Sequence, residues 1–137
     1  MGMVHAEITL KNVGDETRAR IGIIKPEEIR AATVEAVVDT GTLRLVITEG
    51  LRQELGLEVK GEKPVRTANG QRVVGKLTEA VDIHWKNRNT ILPALVLPGA
   101  KTILMGAMVL EGMDLMVNPV TQELVGVHGD EEEILCL

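Results

Sequence analysis

The sequence predicts a mostly β domain carrying one or two short helices. Three observations lead there. Most of the chain falls into short apolar or alternating runs rich in Val, Ile and Leu, the pattern of half-buried strands. Turn residues separate these runs at short intervals, notably at 12–17, 69–70, 86–89 and 118–119. Only residues 48–57 and 107–113 carry helix signals.

Taken in order, "HAEITLK" alternates and puts Ala6, Ile8 and Leu10 on one face. "NVGDET" reads as a turn and "RARIGII" as a second strand, so residues 5–24 are expected to form a hairpin. "KPEEIRA" stays open between a helical turn begun at Pro26 and a surface loop. "ATVEAVVDT" reads as a strand buried toward its end, and "TLRLVIT" as the next strand. In "TEGLRQELGL", Thr48 caps a helix, Leu51 and Leu55 share a face, and Gly56 stops it. Asn69-Gly70 is the strongest short hairpin signal and lies between two strand-like runs. "VDIHW" and "TILPALVLP" form another hairpin around "KNRN". "PGA" is a loop, "KTILMG" a short apolar strand and "AMVLEGM" a helix stopped near Gly112. "LMVNPVTQELVGV" reads as strand, turn and strand, and "HGDEEE" as a solvated linker before the apolar "ILCL". One folded domain is expected over residues 1–129, with an acidic then apolar tail over 130–137.

Composition narrows the function. A chain of 137 residues suits one domain with a modest core. Trp85 is the single aromatic residue, so the core must be built from Val, Ile, Leu and Met. The same scarcity removes the stacking platforms on which single-stranded nucleic acids are held. A net charge of −5 without a basic cluster also argues against a nucleic-acid partner. Cys136 is the one cysteine, which excludes an internal disulfide and suits a reducing compartment. Neither a signal-peptide pattern nor a membrane-length apolar run is present. The expectation is a soluble, cytoplasmic protein with no membrane partner.

Candidates for chemistry are few. His5, His84 and His128 are far apart, with no Cys or His at ligand spacing, so no metal is expected. No phosphate loop or dinucleotide fingerprint occurs, so no cofactor is expected. The chain has no serine to serve as a nucleophile, and Cys136 in the tail reads as a packing residue. Asp39-Thr40-Gly41 remains, at the end of the apolar run "VEAVV". A carboxylate there is costly unless something compensates it. The tripeptide alone is weak, but its context is stronger. It precedes an apolar strand, a helix ending "LGL", the Asn-Gly hairpin, and "ILMG" leading into a helix.

This order resembles the retropepsin-like aspartic proteases, particularly the small single-domain prokaryotic members, from about Ile8 to Val125. "AVVDTG" looks like their active-site strand and loop, "RTANGQRVVGKL" like the flap, and "TILMGAMVLEGM" like the closing strand, glycine and helix. The resemblance implies an acid-protease β-barrel that is one half of a symmetric dimer. It implies an aspartic endopeptidase acting on peptide or protein substrates. Such chemistry uses two carboxylates that share a proton and hold a water. The chain has one Asp-Thr-Gly and no Asp-Ser-Gly, so a homodimer with one Asp39 from each chain is expected.

The resemblance makes Asp39, Thr40 and Gly41 the catalytic loop, with the Thr40 hydroxyl bracing the partner loop. Gly41 brings its N–H toward the carboxylate, and Thr42 is expected to hydrogen-bond Asp39. The flap is expected over about residues 65–77, with Ala68, Asn69 and Gly70 around its tip. Ile103, Leu104 and Met105 would form or back side-chain pockets that favour apolar residues beside the cleaved bond. The chain also departs from the family. Ala107 and Met108 stand where retroviral members brace the dimer with Arg and then Asn or Asp. Leu43 replaces a small or polar residue, and the flap has no aromatic near its tip. These departures support a second reading, a non-catalytic dimeric module that binds peptides or proteins in the same groove. The tail is read either as a strand added to a dimer sheet or as a frayed end.

Overall fold

In the computed structural model, which describes residues 3–133 and 136, the aliphatic runs close into a barrel. The strands are β1 (Val4–Asn12), β2 (Ala31–Val38), β3 (Leu45–Ile47), β4 (Val59–Arg66), β5 (Arg72–Trp85), β6 (Arg88–Val96) and β7 (Leu104–Met105). They form one sheet in the order β1-β2-β7-β3-β6-β5-β4. Because β1 also pairs with β5, the sheet closes on itself and β4 projects from it, paired only with β5. A separate hairpin joins β8 (Leu115–Asn118) to β9 (Glu123–Gly126). Among the described residues there are also three short α-helices: α1 (Val13–Arg20), α2 (Glu49–Glu54) and α3 (Ala107–Gly112). The mostly β architecture expected from the sequence is the one found.

Alternation places the barrel core. Ala6, Ile8 and Leu10 of β1 meet Val81 and Ile83 of β5, Ala94 and Val96 of β6, and Val109, Leu110 and Met113 from α3 and its end. The buried core is aliphatic throughout, with Trp85 packed against its edge. β5 serves two partners in succession: Arg72 to Thr78 pair with β4, and Val81 to His84 with β1. A register irregularity against β6 between Leu77 and Ala80 falls at the changeover, and such bulges bend a strand. α2 begins where Thr48 accepts the Leu51 N–H at 3.1 Å, and it stops at Gly56, whose φ is +62°.

The expected hairpin over residues 5–24 is not what forms. Residues 13–20 are helical, and β1 pairs instead with β2, Ile8 facing Val34. Asn12 explains the difference. Its side chain accepts the Asp15 N–H at 2.9 Å and donates to the Leu55 carbonyl at 2.8 Å, so it caps α1 while anchoring it to the end of α2. Asp15 and Glu16 lie in the first turn and Arg18 and Arg20 in the last, the charge order that suits a helix dipole. α1 lacks an apolar stripe, so its hydrophobic pattern carried no helical period. Ile21 and Ile23, which suggested a strand, are more than half exposed. "KPEEIRA" resolves to a single 3₁₀ turn at Pro26–Glu28.

The linker after β9 is also more ordered than its composition suggests. Asp114 receives the Glu133 N–H at 3.1 Å and lies 2.9 Å from His128 Nδ1. Buried Arg88 donates to the carbonyls of Met113 and Asp114 at 2.9 and 2.8 Å and to that of Gly129. The apolar tail residues 134, 135 and 137, read either as a dimer strand or as a frayed end, lie outside the described residues.

Asp15 holds the α1 corner together. Its side chain is 4% exposed and accepts from the Arg30 N–H at 2.9 Å, Arg30 Nε at 2.8 Å and Nη2 at 3.0 Å, and from Arg18. Those Arg30 bonds hold its carboxyl well below the usual carboxylate range despite burial. Asp15→Ala is expected to cost about 2 kcal/mol in urea unfolding, less than for a fully buried pair because both arginines regain water. The contribution is full above the unfolded carboxylate value of about 3.9 and is lost as pH falls below it. The gap between wild type and variant therefore narrows in acid. A gap that stays constant down to about pH 2 would contradict the ion-pair origin.

Candidate active site

The site begins where β2 ends. Parallel pairing with β7 continues past the last strand residue: Val37 N–H donates to Ile103 O at 2.8 Å and Asp39 N–H to Met105 O at 3.1 Å. Asp39 is thus held by its main chain at the edge of the core. The chain then turns, with Thr42 N–H donating to Asp39 O at 3.1 Å. This turn supplies a donor to each carboxylate oxygen. Gly41 N–H reaches Asp39 Oδ1 at 3.0 Å and the Thr42 hydroxyl reaches Oδ2 at 2.8 Å. Both contacts expected from the sequence are present. They fix the plane of the carboxylate, which is partly exposed in the single chain.

The loop is clasped from behind by residues 106–108. Ala107 N–H donates to Thr42 O at 2.8 Å and Met108 N–H to Leu43 O at 2.9 Å. Gly106 makes the approach feasible. A Cβ there would stand 2.5 Å from Arg44 O and 2.6 Å from Thr42 O and Leu43 C, all of them backbone atoms. Ala107 and Met108 therefore hold the loop of their own chain through main-chain N–H groups, which any non-proline residue supplies.

In front of Asp39 lies a groove of about 750 Å³. Asp39, Gly41 and Thr42 form part of its floor, Val46, Leu95 and Leu104 its apolar wall, and β4 residues with Thr67 and Ala68 its roof. The roof is the β4–β5 hairpin. Thr67 and Gln71 close its tip through a 2.8 Å backbone bond, and Gly70 takes the φ of +84° that the turn needs. Pro64 is tolerated because β4 is an edge strand.

The residues singled out from the sequence divide. Asp39, Gly41, Thr42, Ala68 and Leu104 meet around the groove. Thr40 is exposed at the apex of the loop. Asn69 accepts from the Thr67 hydroxyl and the Gln71 N–H, so with Gly70 it shapes the tip and does not line the groove. Ile103 packs against the core from the other side of β7. Sequence reasoning missed Arg44, Lys63, Arg66, Leu95 and Leu97, which also line the groove. Lys63 and Arg66 lie in β4, the first strand of the hairpin; Arg66 falls within the expected flap, and Lys63 just before it.

Away from the groove, Glu16, Asp82 and His84 offer three ligand-type atoms within 4.8 Å of one another, the one such group among the described residues. Asp82 already receives Asn89 Nδ2 at 3.0 Å and lies 2.8 Å from His84 Nε2. Burial and the adjacent Asp82 push the Glu16 carboxyl up. No helix among the described residues is long and apolar enough to cross a membrane.

Residues 26–115 match the aspartyl protease family, more than half of the chain. Among solved structures, EIAV protease complexed with the inhibitor HBY-793 superposes with a TM-score of 0.50. It shares 22% identity over 58% of this chain and 75% of that chain, a likeness of fold. No curated protein matches the chain.

The clasp yields a stability prediction. Gly106→Ala is expected to cost about 3 kcal/mol, because backbone cannot yield as a side chain can. Gly50→Ala is the control, since a Cβ on that helical glycine meets nothing within 4 Å. It should be neutral or stabilising by up to about 1 kcal/mol. Equal urea midpoints for the two variants would show that the loop is not packed against Gly106.

Proposed function

The chain belongs to the aspartyl protease family and has the retropepsin-like fold, and from that premise we propose that it is an aspartic endopeptidase acting as a homodimer. One observation carries the reading: the Asp39 carboxylate, with a loop donor on each oxygen, faces a roofed groove of about 750 Å³. The chain holds one Asp-Thr-Gly, so the second carboxylate must come from a second copy. A two-fold axis beside the loop brings the two Asp39 side chains together.

Two carboxylates so close share a proton, which lowers the charge that has to be buried. The ionised one takes a proton from a water held between them. The protonated one hydrogen-bonds the scissile carbonyl, and the water oxygen adds to the carbonyl carbon. A proton then passes to the amide nitrogen, the C–N bond breaks, and an acid and an amine leave. Thr40 is assigned to the partner loop, which fits its exposure in the single chain. Leu43, 60% exposed beside the loop, gives the partner an apolar surface to cover where an ionic brace is lacking. The hairpin excludes water from the bound peptide. The substrate pairs with strand edges while Val46, Leu95 and Leu104 receive apolar side chains.

The test is cleavage of a diverse peptide library from about pH 3.5 to 7.5, read by mass spectrometry. Wild type is expected to cut, and Asp39→Asn to lose at least about 10³-fold in rate. Thr42→Ala should still cut, with kcat reduced about tenfold, because the carboxylate loses the hydroxyl that orients it. An unchanged kcat would sink that role for Thr42. A folded dimer that cuts nothing but binds peptides would be the non-catalytic module instead.

A further inference from the structure

The charged lining of the groove is one-sided. Asp39 is its anion, and Arg44, Lys63 and Arg66 are its cations. The chain as a whole has 20 acidic and 15 basic residues, so this lining opposes the overall balance. Some cations elsewhere are neutralised locally, Arg18 and Arg30 by Asp15, Arg52 by Glu49 and Lys60 by Glu58, whereas no acidic side chain other than Asp39 lines the groove. Arg44, Lys63 and Arg66 have no salt-bridge partner among the described residues. Arg66 reaches the Gly70 carbonyl at 3.3 Å, a contact within the hairpin that leaves its charge unneutralised.

Their placement matters as much as their sign. Arg44 lies three residues after Gly41 on the floor side, Lys63 shares the groove face of β4 with Val65, and Arg66 leaves the opposite face, at the hairpin tip. An extended peptide between floor and roof passes Arg44 and Lys63, with the Arg66 guanidinium beside the hairpin tip. Its side chains alternate in direction, so some face the apolar wall and others the cations. In a two-fold dimer the set appears twice, once on each side of the scissile bond.

We infer that the preferred substrates are peptides carrying Asp or Glu within about five residues on either side of an apolar cleavage pair. This rests on the endopeptidase reading. The cations steer an acidic segment into the groove and hold it there, and they repel basic segments. Guanidinium groups suit carboxylates through paired N–H donors, so Arg44 adds directional hydrogen bonds to the attraction.

The experiment uses peptides identical but for Glu, Gln or Lys flanking one apolar pair that the enzyme cuts. At about pH 5.5 the Glu side chains are ionised. In about 50 mM salt, kcat/KM is expected to be about three- to tenfold higher for Glu than for Gln, and lower still for Lys. In about 1 M salt the ratio should fall below about twofold. Lys63→Glu combined with Arg66→Glu should invert the order in favour of Lys. Equal rates for Glu and Gln at low salt, from an enzyme that cuts both, would overturn the inference and leave the protease reading intact. If no peptide is cut, anisotropy of labelled peptides bound to wild type and to Asp39→Asn decides. Tighter binding of the Glu peptide, weakened by salt, supports the acidic preference without the protease. Equal binding of Glu and Gln peptides overturns it.

Discussion

The backbone contact between Gly106 and the loop that follows Asp39 is the constraint on which the site depends. Two segments more than 60 residues apart approach so closely that no Cβ fits between them. The contact ties together the end of β2, the start of β3, the end of β7 and the start of α3. Two of these elements are very short, β3 with three residues and β7 with two. Joined, they form a rigid seat whose hydrogen bonds are nearly all main chain. Side chains nearby are therefore free to vary, and Ala107 and Met108 hold the loop as well as polar residues would.

Rigidity below contrasts with freedom above. The roof strand β4 pairs only with β5, while the barrel strands are closed around a common core. A hairpin with one neighbour opens at lower cost than a strand with two. Peptide entry can therefore occur without disturbing Asp39. Gly75 fits this division, since a Cβ there would meet Leu95 Cδ1 at 2.8 Å, so the hairpin root lies close on the groove wall. Position and mobility are thus assigned to different parts of the sheet.

Much of this was legible in the residues. Asn69-Gly70 gave the hairpin, Thr48 and Gly56 the bounds of α2, and "ILMG" the strand that ends on the clasp. Where local chemistry sets the geometry, reading it suffices. Residues 13–24 were misread because α1 has no apolar stripe and Ile21 and Ile23 imitate a strand. The Asn12 cap with acids then bases was visible, but its decisive contact is with Leu55, 43 residues away. The groove cations were missed for a related reason. Nothing local to Lys63 or Arg66 says which side of an edge strand faces Asp39. The pairing of β4 with β5 decides it.

The central claim is that one catalytic centre needs Asp39 from two chains, and mixing tests it most directly. Wild type is combined with Asp39→Asn at constant total protein, with time allowed for chains to exchange, and peptide cleavage is measured against the wild-type fraction. A shared dyad makes activity follow the square of that fraction, so an equal mixture keeps about one quarter of the wild-type rate. A rate that falls in simple proportion, to about one half in the equal mixture, would mean that each chain works alone and would contradict the two-chain site.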